Sequence, residues 1–65
     1  MCESDVYVRE NGKERKIMED VLVMKIDGDK IITQKMFGSP DVFDGYKIDT
    51  INLLNHKVII KPDEK

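Results

Sequence analysis

The residues best suited to chemistry stand at the start of the chain, in Met1-Cys2-Glu3-Ser4, where the single thiol of the sequence lies one peptide from a terminal amine. A primary amine, a backbone amide nitrogen and a thiolate in succession can close small chelate rings on a thiophilic divalent cation. Thiolate selects metals such as Ni(II), Zn(II) or Cu(I), and a square-planar set of nitrogen and sulfur donors suits Ni(II) best. One chain offers three donors here at most, so a four-coordinate site needs His56, a solvent molecule or the same end of a second chain. The other reading of Cys2 is a small apolar side chain at the start of a strand, the commoner use of a free cysteine. A nucleophilic thiol is disfavoured, because no Lys, Arg or His stands within six residues of it.

His56, in Asn55-His56-Lys57, is the only imidazole. It reads as a ligand, as a pH-sensitive group or as a turn residue without a special role, since nothing in sequence pairs it with Cys2. Glu19-Asp20 and Asp27-Gly28-Asp29 lack the loop length and distal glutamate of an EF-hand and read as turn chemistry. Met18, Met24 and Met36 lie among Ile, Val and Leu and read as core filler. Tyr7, Phe37, Phe43 and Tyr46 could stack bases, but nucleic-acid affinity rests on Lys and Arg neutralising phosphates, and here 13 acidic residues outweigh 11 basic ones. Ser4, Ser39 and His56 form no nucleophile-base arrangement, and neither a phosphate-cradling glycine loop nor a CxxC pair is present, so an enzyme is not expected.

Stepping from residues to the elements that hold them, the 65 residues make one domain, residues 1–65, with a small core. A domain of this size buries roughly 60% of the surface of its unfolded chain. Chains below about 70–80 residues usually add a disulfide, a metal or a second subunit. The lone cysteine excludes an intramolecular disulfide, which leaves a homodimer, a metal or both. No run is apolar enough to span a bilayer and no leader pattern is visible, so the expected location is the cytoplasm, where a free thiol stays reduced.

Alternation from Cys2 to Arg9 places Cys2, Ser4, Val6 and Val8 on one face and predicts a half-buried strand. Asn11-Gly12 predicts a type I′ hairpin, setting Glu10 opposite Lys13, Arg9 opposite Glu14 and Val6 opposite Ile17. Val21 to Ile26 predicts a further strand, and a turn with Gly28-Asp29 at its centre sets Asp27 opposite Lys30 and Ile26 opposite Ile31. A third strand from Lys30 to Met36, a turn at Phe37 to Asp41, a fourth strand with a bend at Gly45 and a last strand at Lys57 to Ile60 complete the pattern. Lys47 to Leu54 reads either as a 3₁₀ turn or as a strand. Five to six short strands predict an all-β fold, a small antiparallel SH3-like or Sm-like barrel, whose polar edges offer a docking place for a second copy.

Met1-Cys2-Glu3-Ser4, Val6-Tyr7, Asn11-Gly12-Lys13-Glu14, Met18-Glu19-Asp20-Val21, the Phe37-Gly38 turn, Gly45 and Leu54-Asn55-His56 together resemble the CooT family. These are small nickel-binding proteins linked to maturation of carbon monoxide dehydrogenase. The resemblance implies a homodimer that binds Ni(II) through Cys2 near the subunit contact, with the amine of Met1 as a co-ligand and a nickel enzyme as partner. It transfers no role to His56 or to any acid. The alternative is a small barrel that binds RNA or a protein, with Lys13, Arg15 and Lys16 as its basic face and the cysteine incidental.

Overall fold

A computed structural model describes residues 3–63. Seven strands follow in chain order: β1 (Ser4–Glu10), β2 (Lys13–Val21), β3 (Val23–Asp27), β4 (Lys30–Gln34), β5 (Asp41–Asp44), β6 (Tyr46–Asn52) and β7 (Lys57–Pro62). The fold is all-β, and no helix among the described residues is long and apolar enough to cross a membrane.

The expected closed antiparallel barrel is not what forms. The ladders make two sheets, one ordered β2-β1-β7-β6 and one ordered β3-β4-β5. Two corners carry the chain from one sheet to the other. At the first, Leu22 separates β2 from β3 and its N–H donates to the Gln34 carbonyl at 2.9 Å. At the second, Gly45 has φ of 80°, which glycine adopts without a side-chain clash. The Gly45 and Tyr46 N–H groups there donate to the Asp29 carbonyl at 2.8 and 3.2 Å. These backbone bonds tie the sheets at the corners, because each bent strand spends its ladder partners on one sheet before the corner and on the other after it.

The hairpin reading holds at its tip, where Arg9 faces Glu14 and Glu10 faces Lys13, with Asn11 and Gly12 at φ of 53° and 76°. Val6, however, faces Met18 rather than Ile17, because irregularities between Ser4, Val6 and Tyr7 shift the register. Asp27 faces Lys30 and Ile26 faces Ile31, as expected. Lys47 to Leu54 resolves into a strand ending at Asn52. The third strand stops at Gln34, short of Met36, and the last extends to Pro62.

One pairing departs from the antiparallel expectation. β1 lies parallel to β7, with Val6 beside Val58 and Val8 beside Ile60, so the first strand becomes an interior one. The core gathers on the inner faces: Val6, Val8, Val21, Ile31 and Ile60 are buried, and Met18, Met24, Phe43 and Tyr46 pack around them. Thr33 is buried too and its hydroxyl donates to the Met18 sulfur at 3.1 Å.

The opposite face of the four-stranded sheet is polar yet also sealed. Ile59, on the side of β7 away from the core, is 5% exposed. It lies beside Tyr7 in β1 and Thr50 in β6. Around it, the Arg9 guanidinium reaches from β1 across β7 to Asp49 in β6 at 3.1 Å, and Lys57 reaches from β7 across β1 to Glu14 in β2 at 2.8 Å. Lys57 also sits over the Tyr7 ring at 4.4 Å, with Lys16 at 5.9 Å. Aliphatic stems and a ring thus exclude water from Ile59 while the charged heads remain wet.

Candidate functional site

The first described residues, Glu3 and Ser4, stand at the end of the molecule where β1 and β7 begin and β2, β4 and β6 finish. Met1 and Cys2 themselves lie outside the described residues. The chain directly after them is held on both sides: Ser4 pairs with Val21 of β2, and the Asp5 N–H donates to the His56 carbonyl at 2.9 Å. Local geometry at both flanks is unusual. Asp20 and His56 adopt φ of 58° and 51°, a left-handed conformation uncommon outside glycine. The Asp20 N–H donates to the Asp5 carboxylate at 3.3 Å, and Asp5 in turn receives the Lys16 ammonium at 3.4 Å.

Glu3, Asp20, Lys35, Met36 and Phe37 line an open cleft of about 420 Å³ at this end. His56 is brought to the same end, but its side chain is exposed. Among the described residues, no three His, Cys, Asp or Glu side chains gather into a group that could hold a metal ion. Glu19 serves Lys16, at 3.4 Å, and Asp29 caps the second corner through its carbonyl. Both acidic segments therefore do structural work, as their turn chemistry implies.

Four of the nine exposed large apolar side chains among the described residues stand on the loops at this end. Phe37 is 86% exposed, and Leu53 and Leu54 are 80% and 89% exposed. Met36 joins them at 55%, which corrects its reading as core filler, whereas Met18 and Met24 do pack on the core. The sequence places Phe37 in a turn, leaves Leu53 and Leu54 between a 3₁₀ turn and a strand, and sets Met36 at the end of a strand. The available signal was that bulky apolar groups stand in Phe37-Gly38-Ser39-Pro40 and Leu53-Leu54-Asn55-His56, segments whose conformation cannot bury them. The opposite end, by contrast, is built from the polar Asn11-Gly12 and Asp27-Gly28-Asp29 turns.

The aromatic residues do not converge on one platform. Phe43 and Tyr46 meet edge-to-face in the core region at 6.4 Å, Tyr7 lies on the far side of the four-stranded sheet, and Phe37 is in the 35–40 loop. The charges around Tyr7 are mutually satisfied. Hydrogen bonds from Lys57 and then Arg9 hold the Glu14 carboxyl below its ordinary range. The Thr50 hydroxyl, with Arg9 adding its charge, does the same for Asp49. Glu14 raises Arg9, and Glu19 raises Lys16. Lys16 of the proposed basic face is thus already spoken for by Asp5 and Glu19.

Comparison with known proteins supplies what the geometry alone does not. A family model described as CooT, CO dehydrogenase accessory protein CooT, matches residues 1–61. The fold is similar to the crystal structure of a Carboxydothermus hydrogenoformans protein assigned as CooT, with a TM-score of 0.82 and 21% sequence identity. That alignment covers 97% of this chain and 100% of the other. No curated protein matches the chain.

Proposed function

Because the chain belongs to the CooT family of CO dehydrogenase accessory proteins, we propose that it captures Ni(II) as cargo and delivers it to a maturing nickel enzyme in the cytoplasm. An accessory protein of this family is not itself a catalyst. The ligands in this reading are the Cys2 thiolate and nitrogen donors of the terminal segment, including the Met1 amine. A second copy completes the four-coordinate set.

The observation that carries the reading is the anchoring of the segment. Ser4 and Asp5 are fixed between β2 and β7. The donors of the reading thus stand one and two residues ahead of Glu3 in the chain, next to a segment whose backbone is fixed on both sides. The chemistry of the donor set fits: thiolate and amine nitrogen are what Ni(II) prefers. The exposed Phe37, Leu53 and Leu54, on the two loops at this end, supply apolar side chains for the homodimer.

Titration of the metal-free protein with Ni(II), followed by its sulfur-to-nickel charge-transfer absorption, tests the proposal. Binding is expected to weaken on acidification, since the thiol must lose its proton. Cys2→Ser removes the band and leaves the circular dichroism spectrum intact; a titration indistinguishable from that of the unaltered protein refutes the reading. A residue fused ahead of Met1 weakens binding if the amine is a ligand.

A further inference from the structure

Among the described residues, charged side chains meet as ladder partners at six places. Five are opposite in sign: Arg9 with Glu14, Glu10 with Lys13, Asp5 with Lys57, Asp27 with Lys30, and Lys30 with Asp44. The sixth sets Lys47 of β6 directly against Lys61 of β7. Like charges so placed repel. Both lysines lie on the outer face of the four-stranded sheet, since their neighbours Ile48 and Ile60 pair with each other and Ile60 is buried.

The groups nearby leave that repulsion only partly offset. Lys47 reaches Asp63 at 3.7 Å, the longest ion pair among the described residues, and Lys61 takes part in none of them. The Asp49 carboxylate feels the charge of Lys61. Its oxygens, however, already accept from Arg9 at 3.1 and 3.2 Å and from the Thr50 hydroxyl at 2.7 Å. A third cation stands beside the pair, because Arg9, Asn11 and Lys61 line one open cleft of about 140 Å³ together with Glu10 and Pro62. Glu10 has its own ladder partner in Lys13.

We infer that this cleft is a phosphate-binding site, in which Lys61, Arg9 and the Asn11 side-chain amide surround a phosphate group and Lys47 adds its charge from the neighbouring strand. Donors that converge from β1, the hairpin turn and β7 suit an anion with several acceptor oxygens and up to two charges. A carboxylate, with two oxygens and one charge, uses fewer of them. The cleft is smaller than the roughly 300–1,000 Å³ of sites that enclose a whole small molecule, so it takes the group alone, as free phosphate or as a phosphate monoester. An anion seated there turns the one repulsive ladder pair into an attractive cluster. The site shares no residue with the terminal segment, so it stands whether or not Cys2 binds Ni(II).

The test is a set of thermal melts of the metal-free chain in chloride and in inorganic phosphate at matched ionic strength, with Lys61→Gln and Lys25→Gln as variants. Phosphate at about 50 mM is expected to raise Tm by about 4 °C, the shift that a ligand at a few times its Kd gives so small a domain. Lys61→Gln loses that rise and, with the repulsion removed, melts about 1–4 °C above the unaltered chain in chloride. Lys25→Gln, whose ladder partner is Ile32, keeps the rise. Backbone amide shifts on phosphate titration are expected to cluster at Arg9, Asn11 and Lys61. Glycerol phosphate separates the two sources: a monoester site responds to it as strongly as to inorganic phosphate, and a site for the free ion does not. Phosphate also stabilises proteins merely by exclusion from their surface. Three chains that rise alike would show that effect only and overturn the inference, as would amide shifts scattered away from the cleft.

Discussion

Ile59→Ala tests whether the polar face of the four-stranded sheet is a second sealed layer. Ile59 points away from the main core cluster, but only 5% of it is exposed, beneath Tyr7 and the side chains of the charged lattice. The substitution deletes three buried carbons. At about 0.8 kcal/mol per buried methylene the transfer contribution alone is about 2.4 kcal/mol, toward the lower end of the roughly 2–5 kcal/mol seen for such truncations. A chain of this length has a total stability of roughly 3–10 kcal/mol, so the loss is a large share of it. With about 4–8 °C of Tm lost per kcal/mol in small domains, the melt should fall by about 10–20 °C. Urea unfolding followed by circular dichroism gives the free energy directly, with an unchanged m-value as the sign that only stability moved. If the lattice lets water reach Ile59, the position behaves as an ordinary surface site and the change stays within about 0.5 kcal/mol. That result would refute the account of the outer face.

Three further outcomes follow from the geometry. Gly45→Ala should destabilise by about 1–2 kcal/mol in the same assay, because open space surrounds the position and the cost is that of a left-handed backbone alone. Stability should fall on acidification below about pH 4: Glu14 and Asp49 are depressed in the folded chain, so what they contribute is present above the unfolded carboxylate range and lost as pH drops through their folded values. Glu14→Gln should flatten that acid limb, and an unchanged slope would count against the lattice. Leu53→Ser with Leu54→Ser should leave the melt nearly unmoved, since both side chains are 80% or more exposed, while reducing any self-association through the apolar end as read by light scattering.

What the sequence disclosed was mostly local. Asn11-Gly12 and Gly28 announce their turns; folding about the first sets Arg9 against Glu14, and charge pairing chose the register that places Asp27 against Lys30. The Val6–Ile17 pairing failed because a bulge leaves no mark in the alternation of side chains. The β1–β7 pairing failed for a different reason: a parallel partner drawn from the far end of the chain has no turn to announce it. Val58-Ile59-Ile60 did carry a hint, since an unbroken apolar run implies a strand buried on both faces, which is what Ile59 shows. The barrel expectation erred on closure: the strands and their bend at Gly45 were legible, but the ladder exchange at Leu22 and Gly45 depends on tertiary geometry. Cys2 was singled out by donor chemistry, whereas the exposed apolar groups of the loops at the start of β1 were hidden in segments read as a turn, as a strand end or as either a 3₁₀ turn or a strand.

The parallel pairing of the first strand with the last also fixes an order of events. During synthesis β2 is available to β1 early, as a hairpin, but the other flank of β1 cannot exist until residues 57–60 have left the ribosome. Contacts of such long sequence separation are slow to form, and chains dominated by them typically fold in milliseconds to seconds. The end at which β1 begins therefore acquires its surroundings, including the His56 carbonyl that anchors Asp5, only after residues 56–60 have emerged. Until then β1 has a partner on one flank only.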